Sequence, residues 1–202
     1  MFVLAGCGGA GEGPVAAAAA SAPAAGVASP AASPSISLDT RLVAAFDGFT
    51  DGYRFDAEVK VGDKVATRAE GRRVAGNAEF VVGSGGSKVT YRTVGADTWV
   101  LRDGADWVAV DGSKTEADPL AALSAPTRVE AGPAVDGATS LVATYPVGAL
   151  GLDGTGDASV AIVIGSDGSV EATYQLDTAV GPAISRTTFR PATDTTPITP
   201  PN

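Results

Sequence analysis

The stretch YRFDAEVKV, residues 53–61, alternates without a break between apolar or small residues and charged ones. Tyr53, Phe55, Ala57, Val59 and Val61 fall on one side, and Arg54, Asp56, Glu58 and Lys60 on the other. A repeat of two belongs to a β-strand with one face against a core and the other in water. The pattern returns in VATRAEGR, AEFVV, KVTYRTV, TWVLR and WVAV, and again in TRVEA, TSLVATY, ASVAIVI, SVEATYQL and AISRTTF. Gly62-Asp63, GSGGS and GAD punctuate the earlier runs, so neighbouring strands are expected to turn back on each other. The 26 Gly and 13 Pro suit such a chain of short strands and turns. Two segments change period. Leu38, Leu42, Ala45 and Phe46 recur at helical spacing, with Ser37 as N-cap and Gly48 at the end. Asp118-Pro119 followed by LAAL is a second helix start, with Pro at the first helical position. The expected class is α+β and mainly β: one domain over residues 38–190, an antiparallel sheet of about ten strands with two or more short helices.

Area then poses a problem. About ten strands of ordinary spacing and length present one face on the order of 850 Å². Two helices of about ten residues shield roughly 300 Å² of it. The rest of the apolar face must either close on itself as an ordinary core or leave a groove for something else. Strand alternation is compatible with both.

The flanks read differently. Gly8–Ser37 is built from Ala, Gly, Ser and Pro with Glu12 as its one charge, a flexible tether that prolines keep from becoming a long helix. Residues 191–202, PATDTTPITPPN, read as a disordered tail of the same kind. Ahead of the tether, Leu4-Ala5-Gly6-Cys7 has the form of a bacterial lipobox and holds the only cysteine of the 202 residues. In a lipoprotein the cysteine sulfur carries a diacylglyceryl group and the signal is cut just before it; two acyl chains anchor a chain stably. Residues 1–7 are too few, and too free of Lys and Arg, for a complete secretory signal, so they read as the end of one that starts further upstream.

Chemistry is constrained chiefly by what is missing. There is no histidine and one cysteine, which removes Cys/His zinc sites, internal disulfides, and Ser-His-Asp or Cys-His catalysis. A net charge of −9 repels a phosphate backbone, so nucleic acid is not an expected partner. GSGGSKVT lacks the Gly-Lys-Ser/Thr order of a phosphate loop and opens an alternating run, so it reads as a hairpin. Asp153 and Asp157 in GLDGTGD are too few for a calcium site and read as a solvated turn. Glu58, Glu70 and Glu171 lie on wet strand faces, and no carboxylate pair suggests acid–base work. Trp99 and Trp107 flank a DG turn, either as ordinary packing or as the lining of a lipid-sized groove.

The series YRTVGADTWVLRDGADWVAVDG, DPLAAL, VDGATSLVATY and VAIVIGSDGSVEATYQLD resembles the LppX/LprAFG lipoproteins of actinobacterial cell envelopes. The resemblance spans about residues 38–180, with the lipobox and tether in their expected places. It implies a curved half-barrel with helices on its concave side, akin to the carriers LolA and LolB, that binds lipids or glycolipids and moves them across the envelope. What it transfers is a face rather than a motif: Tyr53, Phe55, Val59, Tyr91, Trp99, Leu101, Tyr174 and Leu176 as cavity lining, and Cys7 as the lipidation site. The expectation is therefore an extracytoplasmic, lipid-anchored, non-enzymatic protein without a cofactor that holds an acyl-chain ligand. The alternative is an anchored interaction or sensor module with a closed core.

Overall fold

The computed structural model describes residues 37–102, 105–111, 118–150, 152, 155–178 and 181–202. The lipobox with Cys7, the tether up to residue 36 and Asp153 lie outside the described residues. All described residues belong to one unit, Ile36–Asn202.

Helix α1, Leu38–Asp47, starts where Ser37 caps it, the Ser37 hydroxyl accepting from the Thr40 amide at 3.2 Å. It buries Leu42 and Phe46, one stripe of the expected helical spacing, and Gly48 caps its end. The chain then enters the sheet through Gly52, whose φ of +135° suits glycine and whose place a side chain would bring within 2.6 Å of the Arg73 carbonyl.

Five antiparallel strands follow as a meander: β1 (Tyr53–Val61), β2 (Lys64–Val74), β3 (Asn77–Ser84), β4 (Ser87–Val94) and β5 (Asp97–Arg102). Short β6 (Val108–Val110) ends that wing. Helix α2 (Pro119–Leu123) returns the chain to the second wing of β7 (Arg128–Ala131), β8 (Ala138–Pro146), β9 (Asp157–Gly165), β10 (Val170–Thr178) and β11 (Gly181–Pro191). A 3₁₀ turn, Val147–Leu150, interrupts the path between β8 and β9. Pairing of β11 with β1 joins the wings into one sheet, in the order β6-β5-β4-β3-β2-β1-β11-β10-β9-β8-β7. The sheet is curved and open, a β-rich half-barrel with few helices; alternation implied the antiparallel sheet, and the family resemblance its half-barrel form. Its free edges are the strands of three and four residues, short enough to offer little template for edge-to-edge association.

Register assigns every strand residue to a face. The inner face of the second wing is a dry core: Leu141, Tyr145, Val160, Ile162, Val170 and Phe189 are all 0% exposed, packed with Leu42 and Phe46 of α1. Tyr145 donates its hydroxyl to the Leu123 carbonyl at 2.7 Å, so its one polar atom is satisfied within that core. The outer face carries ion pairs, among them Arg190–Asp56 at 3.1 Å, Lys60–Glu58 at 2.9 Å and Arg186–Glu171 at 3.4 Å. Glu58 and Glu171 are thus surface partners, as the wet strand faces suggested.

The C-terminal segment departs from the disordered tail expected of its composition. After β11 the Ala192 amide bonds the Gly52 carbonyl at 3.0 Å. Asp194 then pairs with Arg72 at 3.0 Å, and the carbonyls of Thr196, Ile198 and Thr199 accept from Arg72, Asn77 and Arg92. The segment therefore crosses β2, β3 and β4 on the outer face, and Ile198 is only 4% exposed. The prolines bring no amide donors to this segment, and the sheet's side chains grip the carbonyls of the threonines and Ile198 between them.

Candidate ligand cavity

The inner face of the first wing is floored by a row of aromatic rings. Tyr53 contacts Phe189 edge-on at 5.7 Å, Phe55 lies 6.3 Å from Tyr53, and Phe80 lies 6.2 Å from Phe55. Tyr91 stacks on Phe80 at 5.0 Å with a 14° angle between planes. Phe55 and Phe80 sit on strands separated by β2, and the residue between them in register is Gly71. A Cβ at Gly71 would fall 2.4 Å from the Phe80 Cβ and 2.5 Å from the Glu79 carbonyl oxygen. Glycine is what lets the two rings meet across an intervening strand.

Above this floor stands α2. Asp118 caps it, one carboxylate oxygen accepting from the amides of Leu120 at 3.0 Å and Ala121 at 3.4 Å. The same oxygen takes the Tyr53 hydroxyl at 2.5 Å, and the other takes Arg73 Nε at 3.2 Å. One side chain thereby starts the helix and ties it to β1 and β2. Burial, with the Asp118 hydrogen bond second, holds the Tyr53 phenol well above its ordinary range.

Between α2, the 3₁₀ turn and the sheet lies a cavity of about 310 Å³. That is the lower end of the roughly 300–1,000 Å³ usual for small-molecule sites. Five alanines in its wall, Ala57, Ala69, Ala78, Ala122 and Ala149, leave the space that larger side chains would fill. Tyr53, Phe55 and Phe80 supply aromatic surface, Val59, Val82 and Leu150 aliphatic surface. Hydroxyl-bearing Thr67, Tyr174, Ser185 and Thr187 line it too, and Arg73 is the one charged residue among its described walls. The inner face is thus divided, filled by a core under α1 and left hollow under α2.

Of the residues expected to line a cavity, Tyr53, Phe55, Val59 and Tyr174 do so. Tyr91 shares their face through its pairing with Phe80 and extends the aromatic floor beyond the cavity wall. Trp99 and Leu101 do not belong with them. They pair with Arg92 and Thr90 on the outer face, while Thr98 and Val100, 1% and 4% exposed, point inward. TWVLR is apolar on both faces, so alternation could not choose between them; pairing of Val100 with Tyr91 does. The Arg92 guanidinium, held by Glu79 at 2.7 Å, lies 4.9 Å above the Trp107 ring, a cation–π contact rather than a groove lining. Leu176 pairs with Ala183 in the backbone ladder, and its side chain lies outside the described residues. Arg73, Phe80 and the five alanines were missed because their role depends on cross-strand neighbours. Arg72 and Arg73 are adjacent in sequence but face opposite ways, Arg72 toward Asp194 on the outer face and Arg73 toward Asp118 on the inner.

Among the described residues no group of three or more Asp, Glu or Cys is arranged to hold a metal ion, and no helix is long and apolar enough to cross a membrane. A scan against protein-family models finds no match for this chain, and a search of curated proteins finds none either.

Proposed function

We propose that this chain is an envelope lipoprotein of the LppX/LprAFG type, anchored through Cys7, whose half-barrel holds an acyl-chain ligand and performs no covalent chemistry. The observation that carries the reading is the hollow under α2: about 310 Å³, walled by alanines and aromatic rings, beside a densely filled core in the same sheet. A partly open space of this size with mainly apolar and aromatic walls is the kind of site that takes a small-molecule ligand. An acyl chain matches the apolar walls, and the two-chain anchor would keep the carrier at the membrane surface that supplies such ligands.

The test is native mass spectrometry and lipid extraction of protein purified from its own host. A bound lipid is expected in the wild type, and its loss in the double variant Ala69→Leu/Ala122→Leu, which fills the cavity from two sides. A wild type that emerges empty and takes up no added fatty acid refutes the reading. Anchoring is tested separately: Cys7→Ser, expressed in the protein's own host, should move from the membrane fraction to the medium, and an unchanged distribution refutes it.

A further inference from the structure

We infer that the ligand is an amphiphile with an anionic head, a carboxylate or a phosphate, seated on Arg73; this rests on the acyl-chain reading above. Arg73 is the one charge in the described cavity wall, and it also lines an open depression of about 340 Å³ together with Phe49, Asp118 and Ser124. It therefore stands where the enclosed space meets solvent, the place where an amphiphile changes from tail to head. Its backbone is pinned on both sides, by Tyr53 of β1 and Ala78 of β3.

Asp118 does not consume the guanidinium. The ion pair runs from Nε to one carboxylate oxygen at 3.2 Å, while the other oxygen is occupied by the Tyr53 hydroxyl and two helix amides. A guanidinium carries five N–H donors in a planar fork, and its Nη pair is suited to grip a second anion bidentately. From Tyr53, opposite Arg73, to Val59, opposite Thr67 and Ser185, the cavity wall follows β1 for about 20 Å. A tail laid along that path runs from the cation, over Ala57 and Ala69, to the hydroxyls at the far end. With a net charge of −9 the chain offers an anion no long-range attraction, so preference for an anionic head reports Arg73 locally.

The experiment is displacement of a neutral fluorescent probe, N-phenyl-1-naphthylamine, from the purified chain by oleate, oleoyl-lysophosphatidate or methyl oleate. The wild type should respond to at least one anionic lipid at about tenfold lower concentration than to methyl oleate, and the better of the two identifies the head as carboxylate or phosphate. Arg73→Gln should abolish that difference. Arg73→Lys, which keeps the charge and the pin to Asp118, should retain part of it. Asp118→Asn removes the competing carboxylate while keeping a good helix cap, and should strengthen anion binding. Equal displacement by all three lipids in the wild type overturns the headgroup inference and leaves the cavity reading standing. So does an Arg73→Gln protein that loses all three equally, because Arg73 would then be a structural pin. No displacement by any of them overturns the cavity reading and this inference together.

Discussion

Replacing Gly71 by alanine should damage the floor of the cavity more than any comparable one-carbon change in the sheet. The added Cβ would lie 2.4 Å from the Phe80 Cβ, 2.7 Å from its Cα and 2.5 Å from the Glu79 oxygen. Carbon atoms pack best at about 3.5–4.0 Å. Two of the three obstacles are backbone, so β2 and β3 must part by roughly an ångström where they should remain about 4.8 Å apart. Overpacking of this kind costs about 1–3 kcal/mol, and weakening one ladder hydrogen bond adds about 1 kcal/mol. The reduced freedom of the unfolded chain returns about 0.4–1 kcal/mol. The net loss is about 1–3.6 kcal/mol, or a fall in Tm of roughly 2–14 °C for a unit of this size. Gly83→Ala is the matched control, because its Cβ would meet nothing closer than 3.8 Å. Thermal and urea denaturation of both variants, followed by far-UV circular dichroism, measure the difference. If Gly71→Ala is no less stable than Gly83→Ala, the account of the aromatic floor is wrong.

Other outcomes follow from the same contacts. Tyr145→Phe leaves the buried Leu123 carbonyl without its 2.7 Å donor and should cost about 1–3 kcal/mol in urea denaturation. Burial raises the phenol pKa of both Tyr53 and Tyr145 above the ordinary value of 10.0. Their contribution is thus complete below pH 10 and is lost as pH rises above it, because the unfolded chain ionises first. Each adds up to about 1.4 kcal/mol of destabilisation per pH unit, so Tyr145→Phe should make the alkaline decline in Tm shallower. Arg72→Ala removes both grips on the C-terminal segment and should speed proteolytic trimming of residues 192–202, seen as a mass loss, with little change in global Tm. A trimming rate equal to wild type would show that the other contacts hold the segment alone.

The sequence by itself determined the elements. Alternation in YRFDAEVKV and VEATYQLD marks strands wherever one face is apolar and the other charged. Ser37, Gly48 and the Asp118-Pro119 pair bound the helices through capping chemistry that is local to a few residues. The excess of inner face over helix was also legible, as a simple ratio of areas. Tertiary structure decided the rest. Trp99 and Leu101 face outward because Val100 pairs with Tyr91, a choice that a strand apolar on both sides does not contain. Phe55 and Phe80 meet because register puts Gly71 between them. Proline and threonine in the last residues predict disorder, yet the carbonyls of Thr196, Ile198 and Thr199 find Arg72, Asn77 and Arg92 on three different strands. The hollow itself is set by five alanines far apart in sequence, brought to one wall by the curvature and pairing of the sheet. Periodicity is a property of neighbours along the chain; a cavity and the cation in its described wall are properties of neighbours across it.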